Sequence, residues 1–372
     1  MSVKSKQFIL ALDIGTSSVR AALYDHSGKV LPKTTVKNER SLETTEGGGV
    51  EIDAELAVDQ VVRAIDDVLK AAADTDGDIS HVAASSFWHS LVGVDRKGVP
   101  TTKVLAWGDT RSSNLIGTLR KRLSEPDLHD RTGARFHSSY WPAKLLWIRT
   151  AMPDVWKRTE RWLSFSDHLG QKLFGDATTS ISMASGTGLF DIRNCRWDDE
   201  LARFLKVDTK KLPPVAAPGE TLRLNSKFAK RWPRLKDAKW FPAIGDGAAN
   251  NIGAGCVTRS RAAIMIGTSG AMRLAFRGEP PDKIPPGLWC YRIDRERVVM
   301  GGALSDGGGL YQWLKDNLKL PGSEDRIEAE LAHRGPTAHG LIFLPFLAGE
   351  RSTGYHEAAR GAVLGLALAT DP

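Results

Sequence analysis

Asp13-Ile14-Gly15-Thr16-Ser17-Ser18 closes an apolar run that starts at Phe8, and a second strand-like run begins at Val19. The pattern returns late in the chain, where Ala262 to Ile266 leads into Gly267-Thr268-Ser269-Gly270 and a new run follows from Ala271 to Phe276. Each reads as a β-hairpin whose turn is built from glycine and hydroxyl residues. Glycine lets backbone N–H groups approach an anion closely, and the Thr and Ser hydroxyls add donors, so such a turn can cradle a phosphate. A single copy reads as an ordinary hairpin. Two copies in matching settings point to an internal duplication, with two phosphate turns facing each other across a cleft and a nucleotide between them. The copies differ at one informative position, Asp13 in the first and Met265 in the second. A carboxylate beside bound phosphates repels them unless a divalent cation intervenes, which makes Asp13 the candidate ligand for Mg²⁺.

Other side chains with chemical potential fall at the ends of expected strands. Ile79 to Ser86 reads as a buried strand that delivers Trp88-His89-Ser90 at its carboxyl end, where open α/β sheets place ligands. A short strand expected over Val99 to Leu105 leads to Trp107-Gly108-Asp109-Thr110-Arg111, and a loop from Gly133 to Tyr140 carries Arg135 and His137. In Gly245-Asp246-Gly247 a strand runs into a carboxylate at the mouth of a glycine-rich helix, with small neighbours that leave room for a substrate. Gly307-Gly308-Gly309 opens another helix, whose N–H groups can face an anion and form a wall of the same nucleotide site.

The elements that must position these groups are legible in outline. Asp53 is an N-cap for a helix from Ala54 to about Ala73, with Leu56, Val61, Ile65, Val68 and Leu69 spaced for one buried face. Pro142 sits in the first turn of a helix through Trp147, Phe165 to Gly175 reads as a further helix, and Pro213 to Pro218 as a stiff linker. At 372 residues two domains are expected. Hydrophobic residues at 41% and charged residues at 26% fit a globular protein. No run reaches bilayer length and residues 1–7 lack a signal-like core, so a cytoplasmic protein without membrane contact is expected. Cys195, Cys256 and Cys290 are scattered and fit a reducing compartment. The net charge of +7 is modest, and the basic stretch from Arg223 to Lys239 lacks the stacking residues of a nucleic-acid surface.

With these pieces in order, the chain resembles the FGGY carbohydrate kinases of the actin-like ATPase superfamily. The resemblance rests on Asp13 to Ser17, Trp88-His89-Ser90, Trp107 to Ser112, Lys144 to Trp147, Gly245-Asp246-Gly247, Gly267 to Gly270 and Gly307 to Leu314. It implies an α/β fold of duplicated, ribonuclease H-like domains around an interdomain cleft: residues 1–242 as the sugar-binding domain with the first phosphate loop, and 243–372 as the nucleotide-binding domain. It implies ATP-dependent phosphorylation of a sugar or polyol hydroxyl with Mg²⁺, and Asp246 as the base. Gly15, Thr16, Ser17, Ser18 and Arg20 fall on the first phosphate loop, Gly267 and Thr268 on the second, and Gly308 and Gln312 on the nucleotide wall. Trp88, His89, Asp109, Arg111 and Tyr140 join Asp246 around the sugar. An actin- or chaperone-like ATP-driven partner protein is the alternative from another class, but it gives that polar and aromatic set no shared purpose. A homodimer is compatible with the family.

The Trp88 and Trp107 motifs look most like the gluconokinase branch, which implies a linear sugar acid such as D-gluconate. Its carboxylate would need a cation, for which Arg111 or Arg135 is the candidate. A pentulose such as xylulose or ribulose needs the same set without the cation. Family members continue past the point where this chain stops, at Asp371-Pro372. The expectation is therefore a fragment, a truncated product or a protein completed by a separate piece, inactive or weak in ATP binding.

Overall fold

The structure is a computed structural model that describes residues 6–267, 269–318, 322–335, 340–347, 349–368 and 370. Both expected hairpins form. In the first half, β1 (Gln7–Ile14) pairs antiparallel with β2 (Ser18–Tyr24), which pairs with β3 (Val36–Glu39). Helix α1 (Ala54–Ala71) follows, then β4 (Asp78–Ser86), which lies parallel to β1. Alternation along β1 buries Phe8, Leu10, Leu12 and Ile14 on one face, against the apolar stripe of α1 formed by Ala57, Val58, Val61, Ile65 and Val68. Each such Leu, Ile or Val contributes about 1.5–3 kcal/mol by leaving water. Asp53 caps α1, its Oδ1 accepting from Leu56 N at 2.9 Å.

A mostly helical region carries the next stretch. Helix α2 (Trp141–Ala151) has Pro in its first turn and is buried along most of its length, including Lys144. Helix α3 (Phe165–Phe174) begins with a reciprocal capping box between Ser164 and Asp167 and ends at the left-handed Gly175. Two expectations change here. Only Val104–Leu105 of the stretch from Val99 is a strand. Pro100 lacks an N–H for a ladder, and Asp95 instead folds the preceding residues into a turn, its Oδ1 accepting from Lys97 N and Val99 N. The Pro213 to Pro218 stretch is no free linker either: Thr179 N donates to Pro214 O and Ala216 N to Thr179 O, tying it down.

The chain then returns to the first sheet. The strands β5 (Lys239–Trp240) and β6 (Ile244–Gly245) both lie parallel to β4. A boundary after residue 242 would assign β6 to the second half, whereas its pairing puts it in the first sheet. Helix α4 (Asp246–Gly253) leaves directly from it. The second half is an antiparallel sheet ordered β7 (Ala262–Ile266), β8 (Gly270–Arg277), β10 (Arg297–Leu304), β9 (Trp289–Arg292), followed by α5 (Gly308–Leu318). The halves share a core: Trp88, Tyr140 and Met183 pack with Ala248, Ala275, Trp289, Tyr291 and Val299. They are also joined where Cys290 N donates to Gly133 O at 2.9 Å. Gly133 has φ +74°, and a Cβ there would sit 1.6 Å from Cys290 O, so only glycine allows that approach. No described helix is long and apolar enough to cross a membrane.

Candidate active site

The first turn is held by Gly15 N donating to Ser18 O at 2.9 Å. Thr16 is half-buried and Ser17 exposed beside it, while Ser18 is buried. The second turn repeats the device, Gly267 N donating to Ser269 O at 2.9 Å. Thr268 lies outside the described residues. Gly308 N donates to Gly267 O at 2.6 Å, so this N–H of α5 is spent on bracing the turn and is not free for an anion. Gly307 is needed for the same contact, since a Cβ there would meet the Ser269 backbone at 2.7 Å. Gln312, one turn into α5, donates to Asp316 at 2.8 Å on an exposed face.

Asp13, near the end of β1, accepts from Ser85 Oγ at 2.9 Å and from Arg20 Nη1 at 3.1 Å. Arg20 therefore neutralises Asp13 across the hairpin in this structure. Both line an open cleft of about 1100 Å³ together with the small residues Ala11, Ala22 and Ala83; Trp88, His89 and Asp246 do not line it. Asp246 is the first residue of α4, where the helix dipole favours a carboxylate, and its Oδ1 accepts from Gly247 N at 2.8 Å. Its surface is exposed, but protein walls it on the remaining sides. This loss of hydration raises its carboxyl above the usual aspartate range, and the Asp13 charge adds to the rise, while Gly247 N–H and the Arg273 charge oppose it. The Asp13 charge thus reaches Asp246.

Trp88 explains the glycines around Asp246. Its indole lies where a Cβ on Gly245 or Gly247 would fall, at 1.8 and 2.6 Å from the ring. Its Nε1 donates to Ser182 O at 2.9 Å, so Trp88 is a packed wall with its polar atom already used. His89, with φ +66°, brings Nδ1 against the carbonyl oxygen of Gly186. Burial and the nearby Arg351 charge hold the imidazole well below its ordinary value and hence neutral. A neutral ring facing a carbonyl must carry its proton on Nδ1, which leaves Nε2 as an acceptor. Tyr140 meets His89 edge-on and shares a 2.6 Å hydrogen bond with the Tyr291 hydroxyl.

Asp109 and Arg111 are not free for a ligand. Asp109 is 1% exposed and accepts from Val50 N at 3.2 Å, and Arg111 grips it through Nε and Nη2 while also pairing with Glu51 at 2.7 Å. The guanidinium stacks 4.6 Å from the Trp147 ring centre. The pair is a brace that fixes the loop, because two carboxylates and an indole saturate the arginine. Arg135 is spent likewise, on Glu125 at 2.9 Å and Pro286 O at 2.8 Å.

The fold also brings in residues to which the sequence reading gave no role. Lys144 is fully buried, and its Nζ donates to the carbonyl oxygens of His89 (2.7 Å) and Ala106 (2.8 Å), clamping the Trp88 and Trp107 loops together. Arg273 of β8 and Arg351 approach the same aromatic wall. Their only sequence signal was position: Arg273 three residues after the second turn, and Arg351 beside Glu350 in a glycine-rich loop. Among the described residues, no three His, Cys, Asp or Glu side chains gather as a metal cage.

The sequence model of the FGGY family of carbohydrate kinases, N-terminal domain, matches residues 8–245, and that of the C-terminal domain matches 262–372. A gluconokinase of Bacillus subtilis is 24% identical over 97% of this chain and 72% of its own length. Among solved structures, a gluconate kinase of Lactobacillus acidophilus superposes with a TM-score of 0.89 at 28% identity, covering 98% of this chain and 73% of that one. A ligand-bound xylulose kinase of the same organism gives 0.89 at 27%, covering 97% and 73%.

Proposed function

The chain belongs to the FGGY family of carbohydrate kinases, and from that premise we propose that it transfers the γ-phosphoryl group of ATP to a hydroxyl of a sugar acid, D-gluconate above other acceptors. The observation that carries the reading is Asp246, an exposed carboxylate at the strand-to-helix mouth with a raised proton affinity. A sugar hydroxyl is a weak nucleophile. Asp246 accepts its proton as the oxygen–phosphorus bond forms and the bond to the bridging oxygen of ADP breaks. The N–H groups and hydroxyls of the turns at Gly15–Ser18 and Gly267–Gly270 orient the phosphates. His89 Nε2 accepts from a sugar hydroxyl, and the Trp88 and Tyr140 rings wall the pocket.

Mg²⁺ fits the donor set, because it is held by one or two carboxylates and phosphates rather than by a protein cage, and Asp13 and Asp246 already sense each other's charge. When bound, the ion neutralises charge on the transferred group. Gluconate is favoured by the gluconokinase and gluconate kinase relatives. Xylulose is the second reading, favoured by the equal structural similarity to a xylulose kinase. The test is ADP release with D-gluconate, D-xylulose, D-ribulose and glycerol as acceptors. The highest kcat/KM is expected with D-gluconate, and a neutral pentulose phosphorylated far better would replace it.

A further inference from the structure

Three arginines around this site have carboxylate partners: Arg20 with Asp13, Arg111 with Asp109 and Glu51, and Arg135 with Glu125. Two do not. Arg273 crosses Gly247, where a Cβ would lie 3.0 Å from its Nε, and its Nε and Nη1 are buried without a hydrogen-bond partner. Arg351 lies 5.4 Å from the Trp107 ring centre, and no hydrogen bond or ion pair holds its guanidinium among the described residues. Its charge is felt at His89, His137, Tyr140 and Tyr291, which places it at the same wall as the neutral histidine. The Arg351 charge reaches Arg273, as does that of Asp246, whose Oδ1 accepts from Gly247 N.

A buried guanidinium with unfilled donors, with a second cation whose charge reaches it, is costly unless an anion joins them. We propose that Arg273 and Arg351 together form the receptor for the substrate's carboxylate, and so select an aldonate over a neutral sugar. The assignment rests on the sugar-kinase reading and replaces Arg111 and Arg135 as the cation. Arginine presents paired donors that match a planar carboxylate. A phosphoryl group of ATP has related anionic chemistry. However, Arg273 stands three residues along β8 from Gly270, about 10 Å from the second phosphate turn, and Arg351 belongs to the Trp107–His89 side of the site.

Calorimetric titration of the full chain with D-gluconate, its neutral counterpart D-glucitol, and ATP separates these possibilities. In Arg273→Met and Arg351→Met the affinity for gluconate is expected to fall about tenfold or more each. Glucitol and ATP should bind as before, and Arg351→Lys should recover part of the loss. Thermal unfolding of each variant verifies that it folds, and Arg351→Lys, which keeps the charge, serves if Arg351→Met does not. Unchanged gluconate affinity in folded variants would overturn the receptor, as would a wild-type chain that binds glucitol as tightly as gluconate. Lost ATP affinity would move the two arginines to the nucleotide. None of these outcomes touches the kinase reading, which falls separately if Asp246→Asn leaves ADP release intact.

Discussion

Asp246 makes two demands on experiment. Asp246→Asn keeps the shape and removes the proposed proton acceptor, so phosphorylation is expected to fall roughly 10²-fold or more while ATP still binds. A base works only when ionised. Because the protein around it raises the Asp246 carboxyl, the acid limb of the kcat/KM profile should lie above the ordinary aspartate value, and activity should fade as pH drops through it. Arg273 holds that carboxyl down, so Arg273→Met should move the limb to still higher pH. Lys144 offers a stability test. Burial pushes its ammonium from 10.5 down to about 7, with Asp109 opposing. Between those values the unfolded chain binds a proton that the folded chain does not, so stability should rise with pH across that window. Lys144→Met should flatten the rise in a denaturant series and, by leaving the buried His89 carbonyl unpaired while Ala106 O keeps Asp109 N, lower stability by about 1–3 kcal/mol. Asp13 and Asp246 were legible because turn chemistry is local. Lys144, Arg273 and Arg351 were not, since a charge on a helix or strand reads as a solvated one until tertiary packing encloses it.

At the level of elements, legibility followed how local the cause was. The helix expected from Ala54 to about Ala73 runs from Ala54 to Ala71, because cap and apolar spacing lie within one stretch. Asp53→Ala should cost about 1 kcal/mol and lower the melting temperature without affecting ligand binding. The strand expected from Val99 failed at Pro100 and the Asp95 turn, and the Val92–Val94 strand before it pairs with Arg161–Leu163, a register no local pattern announces. The second turn depends on α5 in a way the glycine run alone did not show. Gly307→Val should displace the Gly267 and Ser269 backbone and weaken ATP binding at least several-fold, read by calorimetry, while leaving the first half's core intact.

Across the whole molecule, the duplication was visible in the paired turns, and the actin-like two-domain fold it implied is the one found. What the sequence hid was the core shared between the halves, since neither Trp88 nor Tyr291 advertises a partner about two hundred residues away. It also hid the surface. Ile264, Ile266, Met272 and Leu304 are exposed, and register places Ile264 opposite Met272 and Ile266 opposite Gly270, which in turn faces Leu304. Leu364, Leu366 and Leu368 are exposed as well. A contiguous apolar sheet face favours association. Light scattering should show mass rising with concentration, and Ile264→Lys with Ile266→Glu should suppress it. A monodisperse monomer at all concentrations would exclude this role for the face.

The seam between the halves also has an optical consequence. Trp88 of the first half and Trp289 of the second lie 6.1 Å apart with ring planes inclined at 69°. Transition dipoles that close and that skewed exchange excitation and acquire rotational strength, so the pair should give a circular dichroism couplet that neither half generates alone. Its amplitude depends steeply on separation and angle, and any ligand that rotates one half against the other would rewrite the couplet before a product is made.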